Sequence, residues 1–350
     1  MLSNVELKRY LWVDNLKLFA CLLVVVGHLY MSMMAGGWIS ENDVLYCWPI
    51  QTIYTFHVPL FFVCSGFLYQ ATVSVDNWNI KNHIGNIKKK AIALGVPYVT
   101  FSVITLLLKN VFSAEVHNAA TPFMKTLLIE PIAPYWYLYT LFLLFCLIPP
   151  ATGVKKGKIL ILMFELAAIV KIVYIFCLAD KGMPDLVAKV MTSAIWFCMG
   201  MLIAEFSLKK NKTISALLVG SFLVACFLSY FVYRTPNENA KTQFFFACIF
   251  VVSITYFFQS KEKYKVNGWV SHSVKYFMPV YVLHTIVAAG VRTVLLRLGI
   301  YSGVIHFIMG VGVSIFVPVL IYDIAEKYWW LQFWFEPIKS IKKKNKGEIK

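Results

Sequence analysis

The sequence predicts an all-α integral membrane protein with about ten transmembrane helices and both termini in the cytoplasm. Three observations predict it. Hydrophobic residues make up 59% of the chain and charged residues only 14%, with a mean hydropathy of +0.69, which no soluble globule of ordinary composition shows. Apolar runs of ~20 residues, each able to span ~30 Å of hydrocarbon, recur from one end to the other. The basic residues between those runs fall into alternate loops, as they do when short cationic loops stay in the cytoplasm.

The runs lie at about 10–34, 53–72, 92–112, 134–151, 158–178, 187–206, 213–233, 242–259, 274–291 and 304–323. With a cytoplasmic N-terminus, twenty-two lysines and arginines fall inside, among them Lys88, Lys89, Lys90, Lys155, Lys156, Lys209, Lys261, Lys263, Lys265 and the C-terminal lysines, and seven outside. The first outside loop, about 35–52, has none. Residues 1–326 read as the transmembrane domain. Residues 327–350, with Trp329, Trp330, Trp334 and a run of lysines, read as an interfacial tail. The net charge of +16 follows from the same loop asymmetry and points to anionic lipid heads rather than nucleic acid. The N-terminal run is too long and too charged for a cleaved signal peptide. The eight cysteines show no C-x-x-C spacing, so neither a disulfide framework nor a structural metal is expected. The expected location is the cell membrane, multi-pass; the oligomeric state is not readable.

The first span carries Asp14, Lys17 and His28. Lys17 and His28 are eleven residues apart, which puts them within ~20° of one helix face and ~16.5 Å apart along the axis. Ionisable residues inside a membrane cost ~2.5–3.5 kcal/mol when unpaired, so they usually face a protein cavity. Snorkelling accounts for Lys17 alone and an interfacial position for His28 alone; the shared stripe favours a site. The second span holds His57, Pro59, Ser65 and Gly66. Its proline implies a kink, and Gly66 implies either a tight helix contact or a bend that shapes a cavity. In the ninth span His284 lies ~15 Å from Val274, near the midplane. Trp136 opens the fourth span in an aromatic run, suited to a membrane belt or to stacking on a sugar. Glu165 and Lys171, six apart on the fifth span, share no face and have no assigned role.

Three motifs together resemble the acyltransferase 3 family, the multi-span membrane acetyltransferases that O-acetylate bacterial surface glycans. They are Lys17 and His28 in the first span, Val58-Pro59-Leu60-Phe61-Phe62-Val63-Cys64-Ser65-Gly66-Phe67 in the second, and Ser271-His272-Ser273 with Tyr281-Val282-Leu283-His284-Thr285 near the end. Tyr135-Trp136-Tyr137-Leu138 and Phe197-Cys198-Met199-Gly200 match more weakly. The family usually has Arg where Lys17 stands. Of its second basic pair, Lys90 matches one member, while Ala93 replaces the other ahead of Pro97. The resemblance implies acetyl transfer from acetyl-CoA to a glycan hydroxyl, without a metal. On that reading Lys17, Lys88, Lys89 and Lys90 hold the donor, Asp14, His57 and Trp136 line the acceptor site, and His28 is general base or transient acyl carrier. Ser65 and His284 then donate to the oxyanion. A passage beside the first helix must join Lys17 to His28. The competing reading is a transporter or flippase for a sugar or lipid-linked glycan.

Overall fold

The computed structural model describes residues 9–72, 80–111, 123–206, 210–237, 239–260 and 273–347. Lys8, Lys209, Lys261, Lys263, Lys265, Ser271, His272 and Lys350, which figure in the sequence reading, lie outside them. Among the described residues the secondary structure is helical throughout. Nine helices are long and apolar enough to cross a membrane: α1 Leu11–Ala35, α2 Val44–Thr72, α3 Ile80–Val111, α6 Lys156–Val173, α7 Asp185–Glu205, α8 Lys212–Tyr233, α9 Ala240–Ser260, α10 Phe277–Arg297 and α11 Gly303–Ala325. The shorter helices are α4 Phe123–Leu128, α5 Trp136–Leu147, α12 Trp329–Gln332 and α13 Pro337–Asn345. A π-helical turn, Tyr174–Leu178, continues α6.

Three expected spans differ; the third begins at Ile80 rather than near residue 92, so that Lys88, Lys89 and Lys90 lie within its helix. The fourth, placed at 134–151, is the 12-residue α5. At ~1.5 Å per residue it covers ~18 Å, short of the hydrocarbon thickness. Pro149 and Pro150 follow it, and a residue before proline is pushed out of helical geometry. The second span begins at Val44 rather than near residue 53. The Asp43 carboxylate accepts from the Leu45 amide at 2.8 Å, a start signal inside what reads as a loop. Pro49 then falls in the second turn, where the bond it forgoes would have gone only to Leu45.

The outer surface is apolar. On α6, α8 and α11 many apolar side chains point away from the body, with Leu162, Leu217 and Phe316 each about two-thirds exposed. That is the surface a lipid-embedded bundle needs. Inside, α2 is the central element, packed against α1, α7, α8 and α9. It crosses α7 with backbones in contact. A Cβ on Gly66 would strike the Phe197 carbonyl, and one on Gly200 the Val63 carbonyl. The tight-contact reading of Gly66 is the one the structure shows.

Gln70, buried near the end of α2, accepts from the Ala151 amide at 3.1 Å and donates to its carbonyl at 2.8 Å. It thereby ties the strand of chain after α5 to the body. Gln70→Leu leaves both Ala151 groups without partners, a loss of about 1–3 kcal/mol. Thermal unfolding of the detergent-solubilised protein should show the lower midpoint.

The C-terminal segment folds back onto the body. Phe335 is buried against Phe101, with ring centroids 5.1 Å apart, and α13 packs on α3. Tyr322, Glu336, Lys339 and Gln332 form one polar cluster. Tyr328, Trp330 and Trp334 stay exposed, where an interfacial anchor would have them. The start of α1 and the C-terminal helix thus share one face of the bundle, called the terminal face below.

Candidate functional site

Two cavities flank α1. The first, of about 420 Å³, opens towards the far face and is lined by His28 of α1, Tyr54 and His57 of α2, Trp136 and Tyr137 of α5, and Tyr281 of α10, among others. The second, of about 680 Å³, lies at the terminal face and is lined by Lys17, Ser65, Ala93, Leu94, Tyr137 and Phe277, and by Lys339, Lys342, Lys343 and Lys346 of the tail. Tyr137 is the residue common to both linings. Its hydroxyl is 3.0 Å from Ser65 Oγ and donates to the Phe61 carbonyl at 3.4 Å. The stripe on α1 therefore has Lys17 on one cavity and His28 on the other, with Tyr137 between them.

The far cavity is lined by His28 and His57, and a third histidine, His284, packs beside His28 outside the lining. The His28 and His284 rings lie 5.2 Å apart between centroids, tilted by 50°. His57 packs on Tyr54 at 4.7 Å, and Tyr54 in turn lies 6.3 Å from His28. His57 Nδ1 is 2.7 Å from the Ile53 carbonyl, and His284 Nδ1 is 2.8 Å from that of Tyr281 and 3.0 Å from that of Val280. A carbonyl oxygen only accepts, so Nδ1 carries the proton in both rings. His284 Nε2 has no partner. In the neutral ring it is a bare acceptor, so the donor role expected from the sequence does not suit it. Tyr281 donates to the Pro134 carbonyl, and Tyr135 donates to the Val282 carbonyl at 2.9 Å. These two bonds pin the turn before α5 to the helix that carries His284. Among the described residues no group of three or more ligating side chains is arranged to hold a metal.

The remaining expected residues divide. Trp136 lines the far cavity, with the Lys189 ammonium 4.8 Å from its ring centroid. Ser65 lines the terminal-face cavity instead, apart from the histidines. Asp14 pairs with Arg9 at 2.6 Å and is not in either lining. Lys88 and Lys89 are exposed and Lys90 is half-buried, its ammonium 4.4 Å from the Phe145 ring centroid and close enough to Lys17 to feel its charge. What α3 contributes to the cavity wall is Ala93 and Leu94. Trp38, in the loop after α1, donates to the Tyr301 carbonyl at 2.8 Å, and Trp48, in α2, donates to Ser229 at 3.0 Å.

The sequence matches the family described as an acyltransferase domain over residues 10–323, from the first turn of α1 to the end of α11. The chain belongs to the acyltransferase 3 family. Nodulation protein NolL of Mesorhizobium japonicum is 26% identical over 141 residues, which cover 40% of this chain and 35% of NolL. No solved structure matches the chain. The transporter reading gives way to that of a membrane-embedded acyltransferase.

The tail is the part of this acyltransferase that sequence reasoning missed. Lys339, Lys342, Lys343 and Lys346 stand at i, i+3, i+4 and i+7, one stripe of a helix, and that stripe lines the cavity. Read as an anchor for lipid heads, the lysines hid a periodicity that marks one cationic face. Ala93, where the family carries its second basic residue, is in the same wall.

Proposed function

We propose that this acyltransferase moves an acetyl group from cytosolic acetyl-CoA to a hydroxyl of a cell-surface polysaccharide or its lipid-linked precursor. One observation carries the reading: a cationic cavity and a histidine cavity sit end to end along α1 and meet at Tyr137. The basic loops favour a cytoplasmic terminal face. There the phosphates of the donor meet Lys17 and the cationic stripe of α13, with Lys90 adding to the field. The pantetheine arm, whose reach is of the order of the ~16.5 Å from Lys17 to His28, runs past Tyr137 once its bond to Ser65 opens. The thioester then lies beside His28.

The acceptor hydroxyl attacks the thioester carbonyl while His28 takes its proton. The tetrahedral intermediate collapses, the carbon–sulfur bond breaks, and the proton passes from the imidazolium to the departing thiolate. The products are the O-acetyl ester and free CoA. His284 Nε2 holds His28 or the incoming hydroxyl in place through its lone pair.

Calorimetric titration with acetyl-CoA tests the reading, since a protein that only moves glycans has no reason to bind it. Lys17→Ala should raise the KM for acetyl-CoA about tenfold, the equivalent of one charge-assisted contact, and leave kcat nearly unchanged. An unaltered KM would remove Lys17 from the donor site. Mass spectrometry of surface polysaccharide from a deletion strain should show the acetyl increment missing.

A further inference from the structure

Among the described residues, one cation in the far cavity has no carboxylate partner. Lys171, near the end of α6, lines the cavity that holds His28 and His57. None of the described carboxylates pairs with it, and no Asp or Glu is in the cavity lining. Glu165 on the same helix is exposed and off its face. The ammonium has the Phe244 ring, 5.6 Å from the centroid, a contact that attracts the charge without neutralising it. By contrast Lys189, which also reaches the cavity rim at Trp136, is paired with Asp185.

The helix also changes form at this point. Directly beyond Val173 it becomes the π-helical turn Tyr174–Leu178. Such turns re-aim side chains and recur at functional sites. This one puts both Tyr174 and Ile175 in the cavity wall. Gln243 of α9 adds a neutral hydrogen-bonding group, and Trp196 an aromatic surface.

A cavity with ring faces, neutral donors, one ammonium and, among the described residues, no carboxylate suits a sugar that carries an anion. We infer that the acceptor is a negatively charged glycan, bearing a carboxylate or a phosphate, and that Lys171 is its counter-ion. This rests on the acyl-transfer reading for what the cavity does, but not for what it binds. A half-buried lysine left without an anion costs free energy; the ligand would supply the missing charge, and a neutral sugar would leave it uncompensated.

The test is calorimetry on the full-length protein in detergent, with D-glucuronate, glucose 1-phosphate and glucose as probes. Wild type should bind one or both acids at least about tenfold more tightly than glucose. Whichever acid binds better assigns the anion to a uronate or to a sugar phosphate. Lys171→Met, which keeps length and suits an apolar helix, should erase the difference, and Lys171→Arg should keep most of it. Equal binding of glucose, a preference that survives in Lys171→Met, or no binding of either acid would overturn the inference. Acetyl-CoA titrated into wild type reports separately: failure there sinks the acetyl-CoA reading and leaves the acid preference to stand or fall by itself.

Discussion

His28→Ala is expected to reduce acyl transfer by about 10²–10⁴-fold, the contribution of one positioned acid–base group. The side chain faces a cavity, so its removal leaves no overpacked neighbour, and the gel-filtration profile should be unchanged. The KM for acetyl-CoA should also hold, because the proposed function puts the donor's phosphates at the other end of α1. Normal turnover in this variant would rule His28 out. His284→Asn is the informative companion. An asparagine amide can reproduce the bonds to the Val280 and Tyr281 carbonyls but has nothing in the place of Nε2. Its turnover should fall by about tenfold, the loss of one hydrogen bond to a reacting group. The two roles for His28 also separate. A general base leaves no label on the protein when labelled acetyl-CoA is added without acceptor; label that appears and vanishes in His28→Ala would assign an acyl-histidine instead.

The long helices and the stripe on α1 were legible because one physical rule governs each. Hydrocarbon demands ~20 apolar residues, and a charge among them must face protein. His28 and Lys17 could therefore be placed on one face and on opposite halves of the bundle without any neighbour being known. Helix ends were less legible. The start of α2 is decided by the Asp43 side chain, a local bond that hydropathy does not register. The shortness of α5 follows from prolines that a sliding window averages away. The site divided along the same line. Ser65 and His284 stand in the second and third motifs, yet which cavity Ser65 enters depends on the α2–α7 crossing, and the acceptor character of His284 depends on which carbonyls lie beside its ring. Both are tertiary facts. The cations of α13 were readable as a stripe but not as a wall, since nothing in the tail says that Phe335 turns inward against Phe101. Lys171 had no assigned role beside Glu165; only the fold shows that, among the described residues, no carboxylate lines the cavity it enters.

The α2–α7 crossing carries the largest expected effect on folding. In a bilayer, lipid tails are as apolar as leucine, so helices associate through close packing of small residues. Here the packing is as close as backbones allow. At Gly66 the obstruction to a Cβ is the Phe197 carbonyl, and at Gly200 it is the Val63 carbonyl, with the Phe67 amide next to it. None of these is a side chain that can swing aside, so the helices must part. Gly66→Leu and Gly200→Leu should each yield aggregated or unrecoverable protein, and even Gly66→Ala should unfold at a lower temperature, overpacking costing about 1–3 kcal/mol or more. Gly220, on lipid-facing α8, has nothing within 4 Å of an added Cβ; Gly220→Ala should be neutral or slightly stabilising. Gly27 lies between these cases, since its Cβ would meet the ring edge of Tyr54. Tyr54 can turn, but it lines the histidine cavity, so Gly27→Ala should fold and act poorly. A Gly66→Leu protein as monodisperse and heat-resistant as wild type would refute the crossing. With it would go the position of Ser65, because the register of α2 against α7 decides whether that hydroxyl meets Tyr137 between the two cavities.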